Sequence, residues 1–184
     1  MTATAARSTS FPMRLIGAVS ADPLLYEEVE ADRTATGQAL LVVVLSSLGA
    51  GIGARGFGAG SLQSTLFISG VATVAWAAWA LVTYQIGANL MPEPQTSADV
   101  GELLRTIGFS AAPGMLRVFG VVPGAAPAAF AITAVWMLVT MVVAVRQALD
   151  YSSTARAILV CVVGWTLALG IAALLGLLFS PALS

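Results

Sequence analysis

The chain contains no histidine and no lysine, a single cysteine, and charged side chains at only 9% of its 184 positions. Each shortage closes off a class of function. Without histidine, the commonest general base and the usual zinc ligand are missing, and a Ser-His couple cannot be built. Ser110, in GFSAAPG, therefore has no base to activate it and reads as a packing serine. Asp150 is the one carboxylate close to a long apolar run, and it lacks the companion that a paired-carboxylate protease needs. The glycine-rich run GAGIGARGFGAG (49–60) has no lysine to reach a phosphate, so it is not a phosphate-binding loop. A net charge of -1 leaves no cationic footprint for nucleic acid. The carboxylates match no known cation-loop spacing, and Cys161 sits in an apolar run as a small packing residue. The chain is expected to be non-enzymatic, with no catalytic residue, cofactor or metal.

The shortage of charge also fixes the class. A soluble domain carries roughly 25% charged residues, whereas this chain pairs 9% charged with 58% hydrophobic residues. Most of its surface must face lipid. The expected fold is all-α: a polytopic membrane bundle of about five transmembrane helices (36–184), preceded by a cytoplasmic segment of short helices (1–35). The opening MTATAARSTSFP has Arg7 but no apolar stretch of signal-peptide length behind it, so no cleaved signal is expected.

Phe11 to Val19 reads as a helix lying flat on the lipid surface. Asp22 before Pro23 then starts a second, acidic helix over PLLYEEVEAD, its apolar stripe resting on the membrane domain. Crossing the hydrocarbon takes about 20 apolar residues. The candidate spans are Gln38–Ala54, Thr65–Leu90, Val100–Val122, Pro127–Val145 and Ala157–Phe179. The third is interrupted at Pro113-Gly114, a possible hinge, and carries Arg105 and Arg117. Thr96 and Ser97 are candidates to cap it. Gly49 and Gly53, and more loosely Ala172 and Gly176, have the spacing that lets helices approach closely.

With every segment crossing and the N-terminus inside, Arg7, Arg14, Arg33, Arg105, Arg146 and Arg156 fall on the cytoplasmic side, as the positive-inside rule favours. The C-terminus is then outside. A prokaryotic plasma membrane is the expected location. All the carboxylates also fall inside. Asp22, Tyr26, Glu27, Glu28, Glu30 and Asp32 would form a partner-binding platform, with Arg146 and Asp150 pairing across one helical turn beside it. A second expectation is a polar cavity lined by Gln38, Gln85, Asn89 and Arg105, which a small transporter, channel or lipid-moving protein would use.

Four segments together carry a resemblance: EEVEAD (27–32), TGQALLVVVL (36–45), GELLRTIGFSAAPGML (101–116) and VRQALDYSSTARA (145–157). In this order they resemble bacterial members of the Yip family, the Ypt- and Rab-interacting integral membrane proteins, over roughly Arg14 to Leu178. The resemblance implies a five-helix membrane domain with a cytoplasmic N-terminus, self-association, and a non-catalytic scaffold or adaptor role. Eukaryotic members serve vesicle traffic, bind prenylated Rab-type GTPases and each other, and carry an Asp-Leu-Tyr-Gly-Pro motif. The nearest match here, Asp22-Pro23-Leu24-Leu25-Tyr26, lacks the Gly-Pro. The partners expected are membrane lipids, further copies of the chain and a basic cytoplasmic protein.

Overall fold

The computed structural model describes residues 9–58 and 61–179, with side chains as far as Leu167. Arg7 and the N-terminal stretch around it lie outside the described residues, as do the side chains of the Ala172–Gly176 pair. Among the described residues the fold is all-helical. The helices are α1 (Phe11–Val19), α2 (Pro23–Ala31), α3 (Thr36–Gly53), α4 (Leu62–Tyr84), α5 (Val100–Ser110), α6 (Ala126–Ala148) and α7 (Thr154–Phe179). A π-helical turn, Gln85–Leu90, continues α4, and a 3-10 segment, Ala112–Val121, continues α5. Three helical stretches are long and apolar enough to cross a membrane: Arg33–Phe57, Leu62–Leu90 and Ala126–Ala148.

The interrupted third segment does not turn back. Proline at 113 has no N–H to donate, so the chain tightens, and the Gly114 N–H bonds to the Ala111 carbonyl at 2.9 Å. The Ser110 carbonyl left over accepts from the Thr140 hydroxyl at 2.8 Å, which ties the break to α6. A 3-10 helix rises about 2.0 Å per residue against about 1.5 Å for an α-helix. α5 and its 3-10 continuation therefore span roughly 36 Å together.

That rod lies parallel to α3 along its whole length. Gly108 sits on Ala39 near the start of α3, Gly114 on Ser46, and Gly120 on Gly53 at the end. Glycine is what allows this approach: a Cβ at Gly49 would stand 2.9 Å from the Met115 carbonyl oxygen, and one at Gly53 would collide with that of Arg117. Gly51, on another face, lies against the Thr65 carbonyl of α4. The glycine spacing thus serves contacts within the chain. α6 runs back along the same rod, with Met137 against Gly114 and Phe130 against Gly53.

α1 and α2 form a hairpin packed on this frame. Both α1 and α6 end in the same way, with the residue after the cap in the left-handed region: Ala21 at φ 56° and Asp150 at φ 51°. In each, the next N–H turns back onto the last turn: Asp22 to the Gly17 carbonyl at 3.0 Å and Tyr151 to that of Arg146 at 2.9 Å. This is the six-to-one closure usually made with glycine.

Candidate functional site

The polar residues gather at the end of the bundle that carries the start of α3 and the end of α6. Arg14, only 2% exposed, is the centre of one network. Its guanidinium donates to Glu28 Oε1 at 3.0 and 2.8 Å, to Asp32 Oδ2 at 2.7 Å and to Gln38 Oε1 at 3.0 Å. α1, α2 and α3 are thereby joined through one side chain. Glu28 also accepts from the Thr9 N–H at 3.1 Å and from the Thr9 hydroxyl. Burial works against ionisation of Glu28, but the bonds from Thr9 and Arg14 outweigh it and hold its carboxyl below the ordinary value. Asp32 is lowered to about 2, by the Thr34 hydroxyl first and Arg14 second.

A second arginine holds the end of α2. Arg105 Nε donates to the carbonyls of Val29 at 3.0 Å and Glu30 at 3.2 Å, and its Nη2 also reaches Glu30. A guanidinium on the last carbonyls of a helix satisfies acceptors that have no partner within the helix and meets the negative end of its dipole.

The third network locks the two loops at this end together. Glu93 accepts from the Ser152 N–H at 3.0 Å and the Ser152 hydroxyl at 2.8 Å, and pairs with Arg156 at 3.4 Å. These bonds hold its carboxyl below the ordinary value, with the Ser152 N–H first among them. Thr96 donates to the Leu149 carbonyl at 2.9 Å, and Gln95 to that of Asp150 at 3.1 Å. The Tyr151 hydroxyl lies 2.9 Å from the carbonyls of both Gly87 and Met91, where the π-helical turn ends α4.

Several expected site residues are therefore engaged inside the protein. Tyr26, assigned from sequence to the contact face, is fully buried and donates to the Ala18 carbonyl at 3.2 Å. Asp22 caps α2, accepting from the Leu24 N–H at 3.0 Å. Glu28 and Asp32 belong to Arg14. Arg146 and Asp150 do not pair: α6 stops at Ala148, Asp150 turns into the left-handed region, and Arg146 Nε donates to the Tyr151 carbonyl at 3.3 Å. Thr96 and Ser97 do not cap α5. Asp99 does so with Glu102, each side chain accepting from the other's N–H, at 2.8 and 2.9 Å.

The expected polar cavity is not assembled either. Gln38 is held by Arg14 and Arg105 by the end of α2, while Asn89 donates to Gln85 at 3.1 Å on the surface. Asn89 instead lines an open cleft of about 350 Å³ with Tyr84, Thr96, Asp99 and Glu102. Pro113 and Gly114, the expected hinge, are buried, with Gly114 wedged against Ser46 and Met137.

Four carboxylates lie near one another around this end: Glu27 and Asp150 are exposed, Glu30 and Glu102 half-buried. Glu27 accepts from Gln147 at 2.8 Å, and Glu102 shares the α5 cap. Among the described residues, none of them takes part in an ion pair. Glu30 shows the consequence. Burial is the main cause that raises its carboxyl to about 7, and the charges of Asp150 and Glu102 raise it further against the pull of Arg105. Among the described residues, no group of three histidine, cysteine or carboxylate side chains is placed to hold a metal.

Sequence reasoning missed Arg14, Glu93 and Tyr151 as organising residues. One signal was available for Arg14, a lone cation inside an otherwise apolar nine-residue helix. Arg117 is likewise satisfied, donating to Thr133 at 3.2 Å with its guanidinium 5.4 Å from the centre of the Phe130 ring. Compared with protein-family models, curated proteins and solved structures, the chain matches none.

Proposed function

We propose that this chain is a non-catalytic membrane scaffold of the Yip type, crossing the plasma membrane of a prokaryote five times and presenting an acidic face to a basic cytoplasmic protein. The N-terminus and the networked rim lie in the cytoplasm and the C-terminus lies outside. The parallel run of α3 beside α5 and its 3-10 continuation, with α6 returning, supports an up-and-down arrangement of five crossings. The reading rests on one observation above the others: Glu27, Glu102 and Asp150 lie close enough for their charges to act on Glu30, and among the described residues none of the four is in an ion pair. Burial raises the Glu30 carboxyl most, and the charges of Asp150, Glu102 and Glu27 add to it; that added repulsion is relieved when a cationic surface docks. Self-association belongs to the same proposal. α4 leaves a wide apolar face around Gly70, with Leu66, Phe67, Val71 and Val74 exposed.

The test is crosslinking in intact native cells, followed by purification in mild detergent and mass spectrometry. The wild type is compared with a Glu27→Lys, Glu30→Lys, Asp150→Lys triple variant. Glu28 and Asp32 are left alone, because reversing them would break the Arg14 network. A partner captured by the wild type and lost in the triple variant, with insertion unchanged, supports the adaptor. Capture that survives the triple reversal removes the acidic face from the proposal.

A further inference from the structure

α1 and α2 were expected at the membrane surface and in solution. Two contacts place their turn much deeper. The Trp136 indole N–H donates to the Val19 carbonyl at 2.7 Å. Trp136 stands twelve residues before the end of α6 at Ala148, a rise of about 18 Å. Independently, α1 touches the 3-10 segment Ala112–Val121, which begins only after α5 has risen about 17 Å from Val100. The reach of the indole shortens the first distance by a few ångströms, so the turn lies about 10 Å below the end of α6, and the contact of α1 with the 3-10 segment agrees in direction.

The bilayer cannot be shifted to leave the turn in water. α6 has 23 residues, about 34 Å of helix, and the hydrocarbon takes about 30 Å of that. Only a few ångströms remain at its ends. The large exposed side chains of the hairpin agree: Met13 is 55%, Ile16 60% and Leu24 71% exposed, while the exposed polar residues Ser20 and Asp22 lie at the turn and Glu27 further along α2. Ile132, Val135 and Val139 on α6 are exposed and apolar as well. The ionic residues of the hairpin, Arg14, Glu28 and Asp32, sit at the level of Gln38, near the start of α3.

We infer that α1 and α2 form a re-entrant hairpin embedded in the cytoplasmic leaflet, with Met13, Ile16 and Leu24 against lipid acyl chains. Its partner is the leaflet itself. Arg14, Glu28 and Asp32 mark the head-group level, and Ser20 and Asp22 form a polar tip. An exposed carboxylate at that depth is costly in hydrocarbon, and local thinning with entry of water and head groups is how bilayers accommodate it. The hairpin therefore widens the protein in one leaflet and draws that leaflet's head groups inward around Asp22. The inference rests on α6 being a membrane span, and the test reports that separately.

Ile16→Cys, Leu24→Cys, Val135→Cys and Arg33→Cys are made singly in a Cys161→Ala chain, spin-labelled and reconstituted in phosphatidylethanolamine–phosphatidylglycerol vesicles. Collision rates with oxygen, which concentrates in hydrocarbon, are compared with those of a water-soluble nickel chelate. The expected result is an oxygen-to-nickel ratio at positions 16 and 24 close to that at 135 and several-fold above that at 33. A ratio at either hairpin position matching Arg33→Cys, while Val135→Cys stays dry, overturns the hairpin alone. A nickel-accessible Val135→Cys overturns the span and the hairpin together.

Discussion

At the C-terminal end of α3 and just beyond it, Gly49, Gly53 and Gly56 lie so close to the carbonyls between Met115 and Gly120 that no side chain fits between the backbones. At its N-terminal end, Gln38 is reached by the guanidinium of Arg14, which also holds two carboxylates. The same helix is fastened by backbone contact at one end and by an ionic network at the other. The difference follows the residues at each end, glycines where the backbones touch and a polar side chain where Arg14 reaches in. Within hydrocarbon, lipid tails are as apolar as leucine, and helices gain by close approach of small residues. Near water, charges keep part of their hydration, and a bonded carboxylate–arginine network becomes affordable. α3 and α4 show the same contrast sideways: 56% of the membrane-length stretch of α3 is buried, against 22% of that of α4.

The largest effect should come from filling the backbone contact. Gly53→Val drives a side chain into the Arg117 carbonyl and should cost about 3 kcal/mol, the upper range for overpacking. Titration with SDS from mixed micelles should read it, with a loss that does not change with salt. Gly70→Ala is the control: nothing stands within 4 Å of a Cβ there, so it should be neutral or stabilising by about 0.5 kcal/mol. Equal losses in the two variants would mean that α3 and α4 are not packed differently.

Next in size is Arg14→Met at the other end. It leaves Glu28 and Asp32 without their cation and should cost about 2 kcal/mol. That is less than for a fully buried pair, because those carboxylates remain 29% and 25% exposed. The wild type should lose this contribution in acid. Asp32 is lowered to about 2, so its contribution is complete above the ordinary carboxylate range and disappears as pH falls through 2. Arg14→Met should therefore lose less stability than the wild type between pH 4 and 2. Parallel acid curves would separate Arg14 from the carboxylates it is placed against.

The smallest effect is at Glu30, and it has the opposite sign. Its carboxyl is raised to about 7 in the folded chain, above the value of about 4.3 expected when unfolded. The folded state then binds more protons between these values, so stability falls as pH rises through that window. Glu30→Gln should melt higher than the wild type at pH 8 in detergent, with the advantage gone at pH 4. An advantage that persists at pH 4 would assign the gain to something other than the charge.

Much of this was legible residue by residue. Aspartate before Pro23 starts α2 because its side chain reaches the Leu24 N–H, and Pro113 breaks the third segment because it has no N–H of its own. The expectation that Arg146 and Asp150 would pair failed for an equally local reason. The spacing requires helix through residue 150, but α6 closes at Ala148 through a left-handed Asp150. The partners of Arg14 were out of reach because they stand 14, 18 and 24 residues along the chain. No periodicity relates positions so far apart. Tyr26 looked available beside its acidic neighbours, and only the hairpin shows that its ring is turned inward.

By itself the sequence determined the solvent and the elements: too few charges to cover a soluble surface, apolar runs of helical length, and prolines and glycines where runs must bend or touch. Those are properties of single residues and near neighbours, set by hydration and backbone geometry. Tertiary structure alone decided which charges are used inside the fold and which stay unpaired, and where the N-terminal hairpin packs against α6. Those depend on packing between segments distant in the chain, where a carboxylate's role is fixed by whether an arginine from another helix reaches it.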